Sequence, residues 1–237
     1  MTDAQAPRRS RPRLHWAGDS LVLVELEAVI APAVNRRVVA LAQAIRAAGI
    51  AGVRDVVPAY ASVGVHVEPL AFDHGALDAV IAHAWDEEAP DEDRARLVEI
   101  PVCYGGEFGP DLEEVAAHAG CRTTDVVTRH AAVRYRVYML GFLPGFAYLG
   151  GVDPSIAMPR RAAPRVEVAA GSVGIAGGQT GVYPCVSPGG WRLVGRTPLR
   201  MFDASRTAPA RLAPGDVVQF VPVSRAEFDV LAAEPGA

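Results

Sequence analysis

GFLPGFAYLGG at 141–151, MPRRAAPR at 158–165 and GSVGIAGGQTG at 171–181 are the stretches that decide the fold. Residues 141–200 hold 12 of the 23 glycines and 7 of the 19 prolines of the 237-residue chain. Glycine opens positive-φ backbone; proline fixes φ and removes an N–H, so both sit at the ends of elements rather than inside them. The segment therefore reads as short strands joined by tight turns. PGD at 214–216 is one more turn, leading into a strand at 217–221. Many short strands with Gly/Pro turns imply a closed or folded-over β structure.

Upstream of it the pattern changes. Residues 21–26 are a strand of Leu and Val. Apolar residues Val34, Val38, Leu41, Ala42 and Ile45 recur at helical spacing over 33–48, and Gly49 closes that helix. Runs 53–58 and 62–67 read as a hairpin, 75–86 as a second helix and 96–102 as a fourth strand. The order βαββαβ is the ferredoxin-like split pattern, so an α+β domain is expected over 14–102 and a β-barrel domain over 103–225. Residues 1–13 are polar and Arg/Pro-rich and read as a mobile tail, as do 226–237 at the other end. Six acids within 86–93 read as a solvated loop, because concentrated like charges repel when buried. Helices are expected at 112–119 and 123–129, and a strand at 133–140.

Composition removes several chemistries. All 23 basic residues are arginine, so no lysine serves a P-loop, a Schiff base or a biotin or lipoyl carrier. A net charge of −4 argues against a nucleic-acid binder. The uncharged stretches 137–152 and 168–191 are broken by Gly and Pro, so neither is a membrane helix. The first residues lack the apolar core of a secretory signal. Three cysteines, none in a CxxC, and no ligand spacing among the histidines argue against a disulfide scaffold or a metal site. A cytoplasmic setting is the expectation.

Candidate functional residues lie mostly in the Gly/Pro segment. It carries six arginines against two acids, Asp153 and Glu167. Arg160, Arg161 and Arg165, with Arg192, Arg196 and Arg200 further on, could hold a carboxylate or phosphate, or pair with acids of the first domain. The stretch 171–181, with Gly177 and Gly178 in it, could expose backbone N–H groups to an anion, or make a set of tight turns and close backbone contacts. Phe142, Phe146, Tyr148, Tyr183 and Trp191 either wall a pocket floored by Gln179, Thr180 and Ser187 or form the barrel core. His130 is either a general acid or base or a hydrogen-bonding fixture. Cys185 reads as buried. No complete catalytic set is visible in the chain by itself.

Taken together, IPVCYGGEFGPDL (100–112), YRVYMLGFLPGFAYLGG (135–151), GSVGIAGGQTG (171–181), SPGGW (187–191) and GRTP (195–198) resemble the 5-oxoprolinase B-subunit family. That family is also described as the kinase-A inhibitor (KipI) family or allophanate hydrolase subunit 1. The likeness runs from about residue 14 to residue 225. It implies an α+β domain followed by a cyclophilin-like β-barrel, and a direct partner, the C-subunit of 5-oxoprolinase. With the A-subunit as well, such an assembly hydrolyses 5-oxo-L-proline to L-glutamate with ATP as co-substrate. On that likeness His130, Gln179 and Arg165 are the catalytic candidates. Arg160, Gly177, Gly178, Thr180, Tyr183, Ser187, Trp191 and Arg196 are the substrate- or nucleotide-binding candidates. The alternative the family name carries is a protein that docks on and inhibits a sensor histidine kinase.

Overall fold

A computed structural model describes residues 11–86 and 95–234. Most of the tail expected at 1–13, and the acidic loop from residue 87 onward, lie outside the described residues. The chain divides into two compact units, 1–94 and 95–237.

The first unit is a four-stranded sheet with two helices. Strands β1 (Arg13–Trp16), β2 (Leu21–Glu25), β3 (Val53–Pro58) and β4 (Ser62–Val67) run in the order β1-β2-β4-β3, every neighbour antiparallel. Alternation puts Val22, Val24, Val56, Val63, Val65 and Val67 on one buried face. Helices α1 (Pro32–Ala47) and α2 (His74–Asp86) cover it with Val38, Leu41, Ile45, Leu77 and Ile81. Proline in the first turn of α1 costs that helix nothing, since those N–H groups have no intrahelical partner.

The fourth strand expected for a ferredoxin-like unit is not in this sheet. That strand, β5 (Leu97–Tyr104), belongs to the second unit. There it pairs in parallel with β13 (Val217–Pro222), from Val217 opposite Leu97 to Pro222 opposite Val102. Its alternate residues Ile100 and Val102 are fully buried in the barrel core. Each such burial stabilises by about 1.5–3 kcal/mol, which any apolar face could have supplied. The ferredoxin-like arrangement is thus not what the sheet shows; β1 takes an edge instead.

The second unit is a closed seven-stranded barrel in the order β10-β7-β6-β13-β5-β12-β9. Its further strands are β6 (Arg134–Leu140), β7 (Ala147–Gly150), β9 (Ser172–Ala176), β10 (Gln179–Val182) and β12 (Arg192–Arg196). Strands β8 (Arg165–Val168) and β11 (Ser187–Gly189) form a separate two-stranded ribbon. Tyr135, Val137, Leu149, Val173, Ile175 and Phe220 fill the interior. Helices α3 (Leu112–His118) and α4 (Thr123–Ala132) add Val115, Ala116 and Val126 to the same core. The stretch 226–237, expected as a tail, contains most of a further helix, α5 (Arg225–Ala232). Ser224 caps it: its hydroxyl accepts from the Glu227 N–H, and its own N–H donates to the Glu227 carboxylate at 2.7 Å. No helix among the described residues is long and apolar enough to cross a membrane.

Candidate functional site

The turn between β6 and β7 is pinned by three backbone bonds, Leu143 N–H to Gly141, Phe146 N–H to Leu143 and Gly141 N–H to Phe146. Gly145 lies at φ 82°, where a Cβ would stand 2.8 Å from Phe202 Cβ. Phe142 has φ 68° although it is not glycine, a backbone state costing on the order of 1–3 kcal/mol that the rest of the turn must hold. The result is one ring outside and one inside: Phe142 is 60% exposed and Phe146 is 1% exposed.

Phe146 is the hub of an aromatic cluster separate from the main barrel core. Its ring centroid lies 5.3 Å from Tyr183, 5.3 Å from Trp191 and 5.0 Å from Tyr148, all edge to face. Tyr183 is buried against Gly189, where any Cβ would strike the phenol. Burial also pushes the Tyr183 phenol pKa up, so it stays neutral. The guanidinium of Arg160 stands over the Trp191 ring at 5.8 Å, and it is exposed with no acidic partner among the described residues. Ser187 is buried, and its Oγ has no protein partner among the described residues. Cys185, expected to be buried, is exposed, because the chain turns outward between buried Tyr183 and buried Ser187.

The neighbouring arginines are engaged differently. Asp111, just before α3, is 3% exposed and receives both terminal nitrogens of Arg165, at 2.7 and 2.9 Å. Arg161 donates to the same carboxylate at 3.0 Å, and the Leu193 N–H at 2.7 Å. Arg192 donates to Glu114 at 2.6 Å and to the Pro159 carbonyl. Burial by itself would raise the Asp111 pKa. The hydrogen bonds from Arg165 and Leu193, with the charges of Arg165 and Arg161, outweigh it and hold the carboxyl below its ordinary range. The acids that neutralise these arginines therefore come from α3 and its approach, within the same unit. Arg165 is held in an ion pair with the buried Asp111 rather than left as a free guanidinium.

His130, near the end of α4, is fully buried in the barrel. Its Nδ1 is 2.8 Å from the Tyr104 hydroxyl and its Nε2 is 2.9 Å from Thr180 Oγ1. The Thr180 hydroxyl donates to the Gly174 carbonyl at 2.9 Å, so it accepts from His130. Nε2 therefore carries the proton and Nδ1 accepts from Tyr104. The ring also stacks on Phe220 at 4.7 Å. Burial lowers the His130 pKa to about 3, so the imidazole is neutral and both nitrogens are committed. The geometry makes it a fixture of the core, away from solvent-borne reactants, and Thr180 is part of the same chain of bonds.

Gly177 and Gly178 make the two-residue turn of the β9–β10 hairpin, with Ala176 opposite Gln179. Gly177 has φ 57° and Gly178 does not share it, the pattern of a type II′ turn. The Gly177 N–H donates to Met158, and the Gly178 carbonyl accepts from Gly151 and Val152. Gln179 begins β10, half-buried, opposite Gly150 of β7. Arg196 stands apart: its Nε donates to the Ala170 carbonyl at 2.8 Å, and its guanidinium lies 5.6 Å from the Phe108 ring.

The expected residues thus separate into distinct settings. Arg160, Tyr183 and Trp191 share the aromatic cluster. Gly177, Gly178 and Gln179 share a turn, His130 and Thr180 the core, and Arg165 an ion pair. Sequence reasoning missed Asp111. Its signal was a lone carboxylate in GPD (109–111), directly before a helix and a long way in sequence from the arginines it serves. Among the described residues no group of His, Cys, Asp or Glu is placed to hold a metal.

Residues 12–212, which take in the first unit and every barrel strand except β13, match the family described as carboxyltransferase domain, subdomain C and D, and the chain belongs to that family. Within it, the relatives include proteins named as the B-subunit of 5-oxoprolinase. The one from Escherichia coli O157:H7 is 45% identical over 217 residues, covering 90% of this chain and 96% of its own length. The one from Bacillus subtilis (strain 168) is 41% identical over 92% of this chain and 95% of its own. Among solved structures, TTHA0988 superposes with a TM-score of 0.77 at 38% identity over 92% of this chain. This chain spans only 41% of that longer protein. The Kluyveromyces lactis urea amidolyase shares the fold at a TM-score of 0.74 and 22% identity, over 95% of this chain and 16% of its own.

Proposed function

We propose that this chain is the B-subunit of an ATP-dependent 5-oxoprolinase, acting with the A- and C-subunits to hydrolyse 5-oxo-L-proline to L-glutamate. The observation that carries the reading is the 45% identity over nearly the full length of a protein of that name. The names of the relatives above do not refer to a kinase. TTHA0988, in which the matching segment is less than half of a longer chain, supports a segment that works beside further protein, here the C-subunit directly and the A-subunit with it. We read the barrel as cyclophilin-like in shape; a prolyl isomerase activity does not follow, because function belongs to the site. Three free cysteines, one of them exposed, suit a reducing cytoplasm.

The chemistry requires a lactam carbonyl to be activated before the ring opens. Phosphorylation of the amide oxygen by ATP would place negative charge beside the ring, and preorganised donors stabilise such charge. With Arg165 and His130 committed inside the fold, Arg160 above Trp191 is a guanidinium this chain offers to that charge. Ser187 is the neutral polar group assigned to orient the ring, and Trp191 and Tyr183 its apolar wall. No metal is assigned to this chain, and ATP enters as a co-substrate of the whole assembly.

Reconstitution tests the assignment. The chain is co-expressed with the A- and C-subunits, and 5-oxoproline-dependent release of ADP and glutamate is measured. Turnover is expected from the three-part assembly; an assembled complex without turnover sinks the reading. Arg160→Ala in that complex is expected to lower turnover by about tenfold or more, the scale of one lost charge-assisted contact. Unchanged turnover would remove Arg160 from the site.

A further inference from the structure

A cavity of about 800 Å³ opens on the second unit between the end of β5, the start of α3 and the first turns of α4. That volume is in the range of small-molecule sites. One wall is the loop 105–110, part of the stretch CYGGEFGPDL for which the proposed reaction has no use. The backbone pins this loop. The Gly105 N–H donates to the Val194 carbonyl at 3.0 Å, and the Gly109 N–H to the Gly105 carbonyl at 2.9 Å. Gly109 lies so close to β12 that a Cβ there would strike the Val194 carbonyl. Across the cavity, α4 presents Thr123, Thr124, Val127 and Thr128, which share one face at helical spacing.

The lining carries one ionised side chain, Glu113, and no arginine, in a chain with 23 of them. The next residue, Glu114, pairs with Arg192 at 2.6 Å, whereas Glu113 has no basic partner among the described residues. Thr128 donates its hydroxyl to the Thr124 carbonyl at 2.9 Å. The hydroxyls of Thr123 and Thr124 have no protein partner among the described residues. Tyr104 spends its own hydroxyl on His130 at 2.8 Å, so what it adds to the lining, with Leu112 and Val127, is apolar surface. The positive end of α4 needs no outside anion, because the Asp125 carboxylate already accepts from the Arg122 N–H there at 3.0 Å. An unpaired carboxylate and free hydroxyls beside apolar surface select an ammonium group on an apolar body, since ammonium offers three donors and its charge meets the carboxylate. An organic anion is disfavoured, because Glu113 repels it.

We propose that this cavity is a binding site for a small organic monoamine in its ammonium form. Glu113, Thr123 and Thr124 hold the charged end, and Tyr104, Leu112 and Val127 wall the apolar body. The ligand class lies outside the proposed reaction, whose substrate and product both carry carboxylates. The site also stands independently of that assignment, since binding is read on the full chain in isolation.

The test is titration of the full chain at neutral pH with benzylamine, benzyl alcohol, methylamine and benzoate, followed by calorimetry and by protein NMR shifts. Benzylamine is expected to bind saturably at up to about 10 mM, with shifts at Gly106, Thr123 and Val127. Benzyl alcohol, which lacks the charge, and methylamine, which lacks the apolar body, are each expected to bind about tenfold more weakly or worse. Benzoate is expected not to bind there. Glu113→Gln, at an exposed position, is expected to weaken benzylamine by about tenfold while thermal melting confirms that the barrel is intact. No saturable benzylamine binding, equal binding of benzyl alcohol or methylamine, or shifts confined to the acidic stretch 86–93 each overturns the proposal. The comparison of the four compounds is made on the unaltered chain, so it decides the matter even if Glu113→Gln fails to fold.

Discussion

The Asp111 carboxylate holds Arg165, Arg161 and the Leu193 N–H at once while only 3% exposed. Asp111→Asn keeps the shape and removes the charge, leaving two guanidinium groups facing a neutral amide. Both arginines are partly exposed, so water repairs part of the loss, and the expected destabilisation is about 2–3 kcal/mol, read by urea unfolding. The carboxyl pKa is lowered in the folded state, so its contribution is present above the unfolded value near pH 4 and is lost as pH falls through the folded one. His130 acts in a different window. Its folded pKa, lowered from 6.5 to about 3, means that the unfolded chain binds the proton first as pH drops below about 6.5. Stability is therefore expected to fall by about 2 kcal/mol between pH 7 and about pH 5 through this residue. His130→Gln should flatten that slope in denaturant titrations at the two pH values; an unchanged slope would show that another group carries it.

At the scale of elements, the two turn glycines of the β9–β10 hairpin separate by one dihedral. Gly177→Ala places a Cβ at φ 57° and is expected to cost about 1–2 kcal/mol. Gly178→Ala enters open space at ordinary φ and is expected to be close to neutral, both checked by melting temperature. Turn chemistry of this kind was legible in the sequence, as were β3 and β4, whose observed bounds are the expected ones. Sheet membership was not. The strand β5 alternates apolar residues in a way that fits either sheet, and only its parallel pairing with β13 settles which. The strand β1 left no trace because all four of its residues are exposed, so there is no buried face to create alternation. The helix α5 did leave one, Ser224 followed by Glu227, which is a capping box standing before Phe228. For the candidate site, residue types were legible but their engagement was not. Arg160 and Arg165 look alike in sequence, and only the buried Asp111 distinguishes the free guanidinium from the bound one.

Across the whole molecule, the first unit has its own core, from Val22 to Ile81, and the second has its own, from Ile100 to Phe220. A fragment spanning 95–237 is therefore expected to unfold in one cooperative transition with the near-UV circular dichroism of a packed barrel; a broad, signal-poor transition would show that it needs residues 1–94. The barrel is closed by its first strand, β5, lying beside its last, β13. Arg96 and Asp216, joined just before those strands, are 120 residues apart in the chain. During synthesis nothing can occupy the place beside β5 until residue 222 has left the ribosome. From the synthesis of β5 to that of β13, about half of the chain's length, β5 thus presents an open edge with Ile100 and Val102 uncovered. Nascent chains stopped short of β13 should be digested by protease and held by chaperones, and resistance should arrive in a single late step as that strand emerges.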